Sequence, residues 1–587
     1  MRTYIRTVNF LNLITMKKTG TLLLMAFLAF SMVPSCLGED VLDPDQSSSS
    51  ESSSSKSVSS VDPENAEDLV SGFTPDYTVT VTYSTGGAAL SGDVDMVTSV
   101  VDGCDVTITN PGDYGIKYIL TGTSQDGFFK LYSTHKQEIE LSSLNLRNPD
   151  GAAINNQSKK RTYVVLTGAS EISDGTSYSD AVDDEDMKAA FFSEGQLCFS
   201  GDGSLKVTAV GNRAIASDDY VRLLSGTVTA VSSANHAVRG SDAVIITDGT
   251  LTASASASTS KAVSTDGIYY QAGGTVTLTS TGSAAYDSDA DDGVSGTACI
   301  KADGDLTIKG GVLTCTSTGT GGKGMSIGGD AVFAGGTVTV SAKGGNFGTS
   351  SRHSYAKGVK VEGNITVSAG SLTVSSAYHE GLTNGSYSDR VITKYTQTGG
   401  VVMVTAADDA VNSSGVLTVS GGALYGLSSR NDGIDANAAM SVTGGVVIGC
   451  GSSGAECGID TIEGSYLTID GGYVISVGGS VNPTNSKNSK AFVTTSLSRG
   501  TNIAVYDGET PLFAFQVPST GGTAALMSAP SMKSGSSYKL YTGVSFTPSY
   551  FGCFGTEGIS GGKESDKALT ASSSVSQGMG GGPGRRW

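Results

Sequence analysis

Nowhere does this sequence show the 3.6-residue apolar period of a helix, and it is poor in several things that globular enzymes use freely. It holds one tryptophan and four histidines in 587 residues, and charged residues make up only 16%. The four histidines are scattered, so hydrolase triad chemistry gains no support. Beyond the first three dozen residues, no run approaches the roughly 20 apolar residues that a membrane span requires. Positive charge is short as well: 37 Lys and Arg stand against 56 Asp and Glu, a formal net charge of −19. Such a surface repels nucleic acid and suits the collection of divalent cations. What is abundant is glycine, 80 residues, together with Ser, Thr, Val and Ala. That is the material of stacked β-structure with tight corners.

The chain opens on a targeting segment. Met16-Lys17-Lys18 supplies its positive region and Leu22 to Met32 its apolar region, so residues 1–35 read as a signal peptide, with Met16 as an alternative start. Val33-Pro34-Ser35-Cys36 resembles a bacterial lipobox, with proline at the second position a departure. Cys36 is therefore expected to carry lipid, a plain signal peptide cut nearby being the alternative. The expected location is extracytoplasmic, on the outer membrane or cell surface, with membrane contact only through the lipid. Ser47-Ser48-Ser49-Ser50-Glu51-Ser52-Ser53-Ser54-Ser55 cannot bury enough apolar surface to fold, and 36–75 reads as a flexible tether. A lipidated Cys36 leaves seven of eight cysteines, an odd number, so at least one lacks an intrachain partner. Cys315 falls in a core column and is expected to act as a small buried hydrophobe.

From about Asn212 two phrases alternate. One is a small residue followed by an aliphatic one, as in Ala214-Ile215, Ala410-Val411 and Gly433-Ile434. Its aliphatic members Ile215, Val238, Val263, Ile300, Met325, Val359, Leu382, Val411, Ile434 and Ile459 lie 23, 25, 37, 25, 34, 23, 29, 23 and 25 residues apart. The other is a glycine-led strand, such as Gly273-Gly274-Thr275-Val276-Thr277-Leu278, with a further short strand just before each glycine pair. Strict alternation marks strands with one buried face. Three short strands per coil match a parallel β-helix, and the longer intervals are loops protruding from it. A β-propeller would need blades of roughly 40–45 residues. The expected fold is an all-β, right-handed parallel β-helix over 76–480, less regular upstream from Val106. A β-rich cap is expected over 481–570 and a disordered Gly-rich tail over 571–587.

In such a solenoid the same column of successive coils stacks at about 4.7–4.9 Å. Two positions before each aliphatic the later coils read Lys357, Glu380, Asp409, Asp432, Cys457; one position earlier stand His379, Asp408, Asn431, Glu456. One position after it stand Thr383, Asn412, Asp435, Asp460. Like charges so close raise each other's pKa unless a cation sits among them. Glu380, Asp408, Asp409, Asp432, Asp435 and Asp460 are thus candidate calcium ligands, the alternative being a solvated acidic edge. Zinc fits less well, because only His379 offers nitrogen. A weaker candidate is the loop Asp287-Ser288-Asp289-Ala290-Asp291-Asp292-Gly293: Asp287, Asp289 and Asp291 have calcium-loop spacing, but the glycine is one place late and Ala298 occupies the place of the bidentate glutamate. Asp183-Asp184-Glu185-Asp186 reads as a solvated loop.

Leu120-Thr121-Gly122-Thr123, Asp150-Gly151-Ala152-Ala153-Ile154, Glu171-Ile172-Ser173-Asp174-Gly175, Gly201-Asp202-Gly203-Ser204-Leu205 and the later Asp-Gly-Ile coils occur in the order seen in a known family. The chain from about Val106 to Tyr541 resembles the secreted bacterial β-helix proteins described as carbohydrate-binding domain-containing, which are similar in fold to polysaccharide lyases. That resemblance implies polysaccharide binding, bound calcium and a link to plant cell-wall polymers. Arg213, His236 and Lys261 depart from it, standing where the family often has Asp. The leading expectation is non-catalytic, calcium-dependent polysaccharide binding by a surface lipoprotein, with Tyr269, Tyr270, Tyr286, Tyr355, Tyr378 and Tyr387 as candidates to stack on sugar rings. The alternatives are a calcium-dependent lyase of uronate polymers, with Lys357, Lys394 or Arg390 as base, and a structural adhesin.

Overall fold

The computed structural model describes residues 61–178, 185–290, 293–386, 390–482 and 488–574. The signal peptide, Cys36, the serine tract, Asp183, Asp184, Asp291, Tyr387 and residues 575–587 of the tail lie outside them. Strands dominate, and most pair in parallel with the equivalent strand of the next coil, giving a β-helix-like solenoid.

One ladder of fifteen strands runs from Thr98–Asp102 to Ile459–Thr461. Its first pair is antiparallel, Thr98–Asp102 folding back on Asp105–Asn110, and the rest are parallel. The expected aliphatic column lies inside it in unbroken register, from Ile215↔Val238 to Ile434↔Ile459, every member at most 1% exposed. Upstream the column continues through Phe191, Ile154 and Phe129 to Val106. The larger rings explain why the early coils lacked a visible repeat: aromatics fill the width that valine and isoleucine fill later. Cys315 is fully buried and carries no disulfide.

The glycine-led strands form another ladder, and its corner explains the glycine pairs. The second glycine of each pair has a left-handed backbone, as Gly445 does at φ 76°. A Cβ there would stand 2.5 Å from the carbonyl oxygen of Gly422 one coil below. Only glycine meets both demands. The 37- and 34-residue intervals each carry a small antiparallel hairpin, Ala285–Tyr286 with Val294–Ser295 and Phe347–Gly348 with His353–Ser354.

Two segments lie against the flanks. Residues 61–75, expected to belong to the tether, instead dock on the outward face of the short strands Tyr220–Leu223, Ala243–Ile246 and Ile268–Gln271. Val61, Val70 and Phe73 pack there on Tyr163, Cys198, Tyr220, Ile245 and Tyr270. Asp68, fully buried, pairs with Arg161 and Arg222, both at 2.7 Å. For residues 61–75 the tether reading does not hold, because the partners that bury this segment lie about a hundred or more residues away. At the other end, Ala524–Ser528 pairs antiparallel with the last glycine-led strand, Tyr473–Gly478. A five-stranded sheet beyond it packs Phe513, Phe515 and Phe554 near Tyr425, Ile448 and Ile475.

Candidate functional site

The final coils bring the acidic columns together as the spacing predicts. The amide of Gly381 donates to the carbonyl of Asp409 (3.0 Å), that of Ala410 to Asp432 (3.2 Å), and that of Gly433 to Cys457 (3.2 Å). These bonds fix Glu380, Asp409 and Asp432 in one column. The column on the far side of the aliphatics is registered as Thr383↔Asn412↔Asp435↔Asp460. Asparagines tie the two together. Asn412 Nδ2 donates to Asp409 Oδ2 (2.9 Å) and Glu380 Oε1 (3.4 Å), and Asn437 Nδ2 donates to Asp435 Oδ2 (3.2 Å). Asn431 Nδ2 donates to Asp408 Oδ1 (3.0 Å).

Electrostatically the cluster divides. At its upstream end Lys357 Nζ lies 2.5 Å from Glu380 Oε2, and His379 Nδ1 is 3.7 Å from Glu380 and 3.6 Å from Asp408. Burial pushes the Glu380 carboxyl up, but the Lys357 ammonium and His379 outweigh it and hold the group at about 2. Further on no cation answers: Asp409, Asp432, Asp435 and Asp460 form no ion pair among the described residues. Burial raises Asp409 well above the usual carboxylate range, with Asp435, Asp432, Glu380 and Asp408 adding repulsion. Burial and Asp460 push Asp432 up to about 8, and burial with Asp460 and Glu380 push Asp435 up to about 7. Asp460 rises too, chiefly by burial.

These donors fit a hard divalent cation. His379 Nδ1 is buried without a hydrogen-bond partner, and it lies with one oxygen each of Glu380 and Asp408 inside 4.8 Å, close enough to share one ion. The carboxylate-rich remainder offers oxygen ligands of the kind calcium takes.

The other candidates fare differently. Asp287 accepts from the Ser295 hydroxyl and the Asp289 amide (3.1 Å), so it is engaged within its own hairpin. Glu185 is not a solvated residue: it pairs with Lys130 and accepts from the Tyr132 hydroxyl (2.5 Å). Sequence reasoning missed a second acidic group, Asp186, Glu194 and Asp218, where Lys188 already bridges Asp186 (2.5 Å) and Asp218 (2.9 Å). The stacking of Glu194 over Asp218 was legible from Ser193↔Ser217 spacing one coil apart.

Among the tyrosines, Tyr269 is a core residue with no exposure, its hydroxyl donating to Gln271 (3.0 Å). Tyr270 is 5% exposed and donates to Glu64 beneath the docked segment (2.7 Å). Neither ring offers a face to a sugar. Tyr270 was misread because alternation does not reveal which outward faces are covered, and Tyr269 because it stands on the inward face, in register with Val244 and Leu306. The Tyr355 ring packs on His353 and His379, each at 4.1 Å between centroids, beside the acidic cluster. Tyr378 and Tyr286 are about half exposed, the latter with Arg352 over its ring at 4.6 Å.

No curated protein matches this chain. A solved structure described as a polysaccharide lyase-like protein from C. thermocellum, in a gadolinium derivative, is similar over 43% of this chain and 92% of its own length, at 18% identity and a TM-score of 0.31. Residues 102–388, a stretch that includes Glu380, match the model of the family described as carbohydrate-binding domain-containing protein.

Proposed function

We propose that this chain is a non-catalytic, calcium-dependent polysaccharide-binding protein, displayed at the cell surface by lipid on Cys36. Its scaffold on this reading is a right-handed parallel β-helix, capped by the C-terminal antiparallel sheet. The observation that carries the calcium is the run of carboxylates, Asp409 and Asp432 buried and Asp435 and Asp460 half-buried, left without a cationic partner among the described residues. A bound divalent cation would neutralise that run and could bridge to an acidic sugar. Glu380 and Asp408, with His379, extend the donor set upstream. The family match supports carbohydrate as the partner, and plant cell-wall polymers are the class to try first.

A lyase reading draws on Lys357, one coil before Glu380. The same geometry weakens it, because the ammonium that would have to act as base is held against the Glu380 carboxylate. A glycan-array screen with and without chelator tests the binding reading: polysaccharides captured only in calcium support it, and capture indifferent to chelator removes the metal from it. Unsaturated products absorbing in the ultraviolet, lost in Lys357→Ala, would replace binding with catalysis.

A further inference from the structure

Upstream of Glu380, Asp409 and Asp432 the same column carries basic residues. Arg213, His236 and Lys261 occupy the equivalent position in three successive coils. The amide of Ala214 donates to the carbonyl of His236 (3.3 Å), and that of Ala237 to Lys261 (3.1 Å). Alanines bound the run on both sides, Ala189 pairing with Arg213 and Ala298 with Lys261. Other basic side chains nearby are matched: Arg239 with Asp266 (2.6 Å), Lys301 with Asp303, and Lys188 with Asp218 (2.9 Å). Arg213, His236 and Lys261 form no ion pair among the described residues, and Arg213 Nε is buried with no hydrogen-bond partner.

The histidine is set up to donate. Its Nδ1 accepts the backbone N–H of Lys261 (3.2 Å), which places the proton of the neutral ring on Nε2. A guanidinium, an imidazole N–H and an ammonium thus follow one another over roughly 10 Å, at the coil spacing of a parallel ladder. Burial depresses all three groups, Lys261 to about 8, and neighbouring cations add to it. A negative ligand would relieve that strain.

We propose that Arg213, His236 and Lys261 form a metal-independent oxyanion site that takes a sulfate, phosphate or carboxylate group. Three donors in fixed order suit a group with several acceptor oxygens. The site goes beyond the calcium reading and stands or falls without it.

The test uses the full chain in chelator, with sodium sulfate titrated against chloride at matched ionic strength. The unfolding temperature of the wild type should rise more in sulfate than in chloride. Lys261→Met and Arg213→Gln should each lose that increment and bind inorganic sulfate roughly tenfold more weakly or worse. Both substitutions remove a like charge, so the fold should hold, and Lys261→Arg should retain binding. Asp409→Ala should leave the sulfate response unchanged, which separates this site from the calcium cluster. A sulfated polysaccharide held more tightly than inorganic sulfate, with the excess lost in Lys261→Met, assigns the anion to a polymer. Equal affinity for the two assigns a free ion. An identical sulfate response in wild type and both variants overturns the site.

Discussion

Asp219 stands one coil before Asp242, whose amide donates to its carbonyl (2.9 Å). Burial, with Asp242 adding repulsion, pushes the Asp219 carboxyl up to about 6. The folded state therefore holds a proton that the unfolded chain has lost, between the usual aspartate value near 4 and about 6. Stability from this group falls as pH rises through that window. Asp219→Asn should unfold at the wild-type temperature below about pH 4 and at a higher one above about pH 6, in thermal melts run across that range. A steric prediction concerns Gly433, beside Asp432. A Cβ there would meet the Cys450 amide nitrogen at 2.3 Å and the Gly458 carbonyl at 2.6 Å. Gly433→Ala must push backbone apart, and denaturant unfolding should show a loss of about 1–3 kcal/mol.

Among the larger elements, the docked segment 61–75 is the one whose removal should be most informative. Asp68 accepts from the Tyr220 hydroxyl (2.6 Å) and neutralises Arg161 and Arg222, which are 8% and 4% exposed. Taking the carboxylate away leaves two buried guanidinium groups poorly compensated. Asp68→Ala should destabilise the fold by about 3–5 kcal/mol in urea titrations and open residues 61–75 to limited proteolysis. Glu67 also pairs with Arg161 (2.9 Å) but is exposed, so Glu67→Ala should change little. The contrast between the two variants separates burial of charge from its mere presence.

That segment also marks where sequence reading stopped. The column from Ile215 to Ile459 was legible because a parallel ladder puts every coil's core residue at a recurring interval. The acidic cluster was legible for the same reason, since columns follow once the aliphatics are aligned. The docked segment obeys no period. Tyr270 read as a surface residue because nothing local says that residues from the far N-terminus lie over it. Asn412 and Asn437 were likewise passed over: their importance comes from reaching across to Asp409, Glu380 and Asp435.

For the whole molecule, one column passes from basic residues, Arg213, a neutral His236 and Lys261, to the acidic residues Glu380, Asp409 and Asp432. A face built this way could meet an acidic polymer directly at one end and through metal at the other. The measurement closest to the central claim is calorimetric unfolding with calcium added or chelated, followed by binding to a uronate-rich polymer, for wild type and Asp409→Ala/Asp432→Ala. On the proposed reading calcium binds the folded ladder better than the unfolded chain, so it should raise the wild-type unfolding temperature, by the equivalent of about 2.7 kcal/mol at a hundred times its dissociation constant. The double variant should lose most of that gain and bind the uronate polymer more weakly, with less change for a neutral one. No calcium effect on the wild type would contradict the account and leave the cluster a set of buried carboxyls relieved by protons rather than by metal.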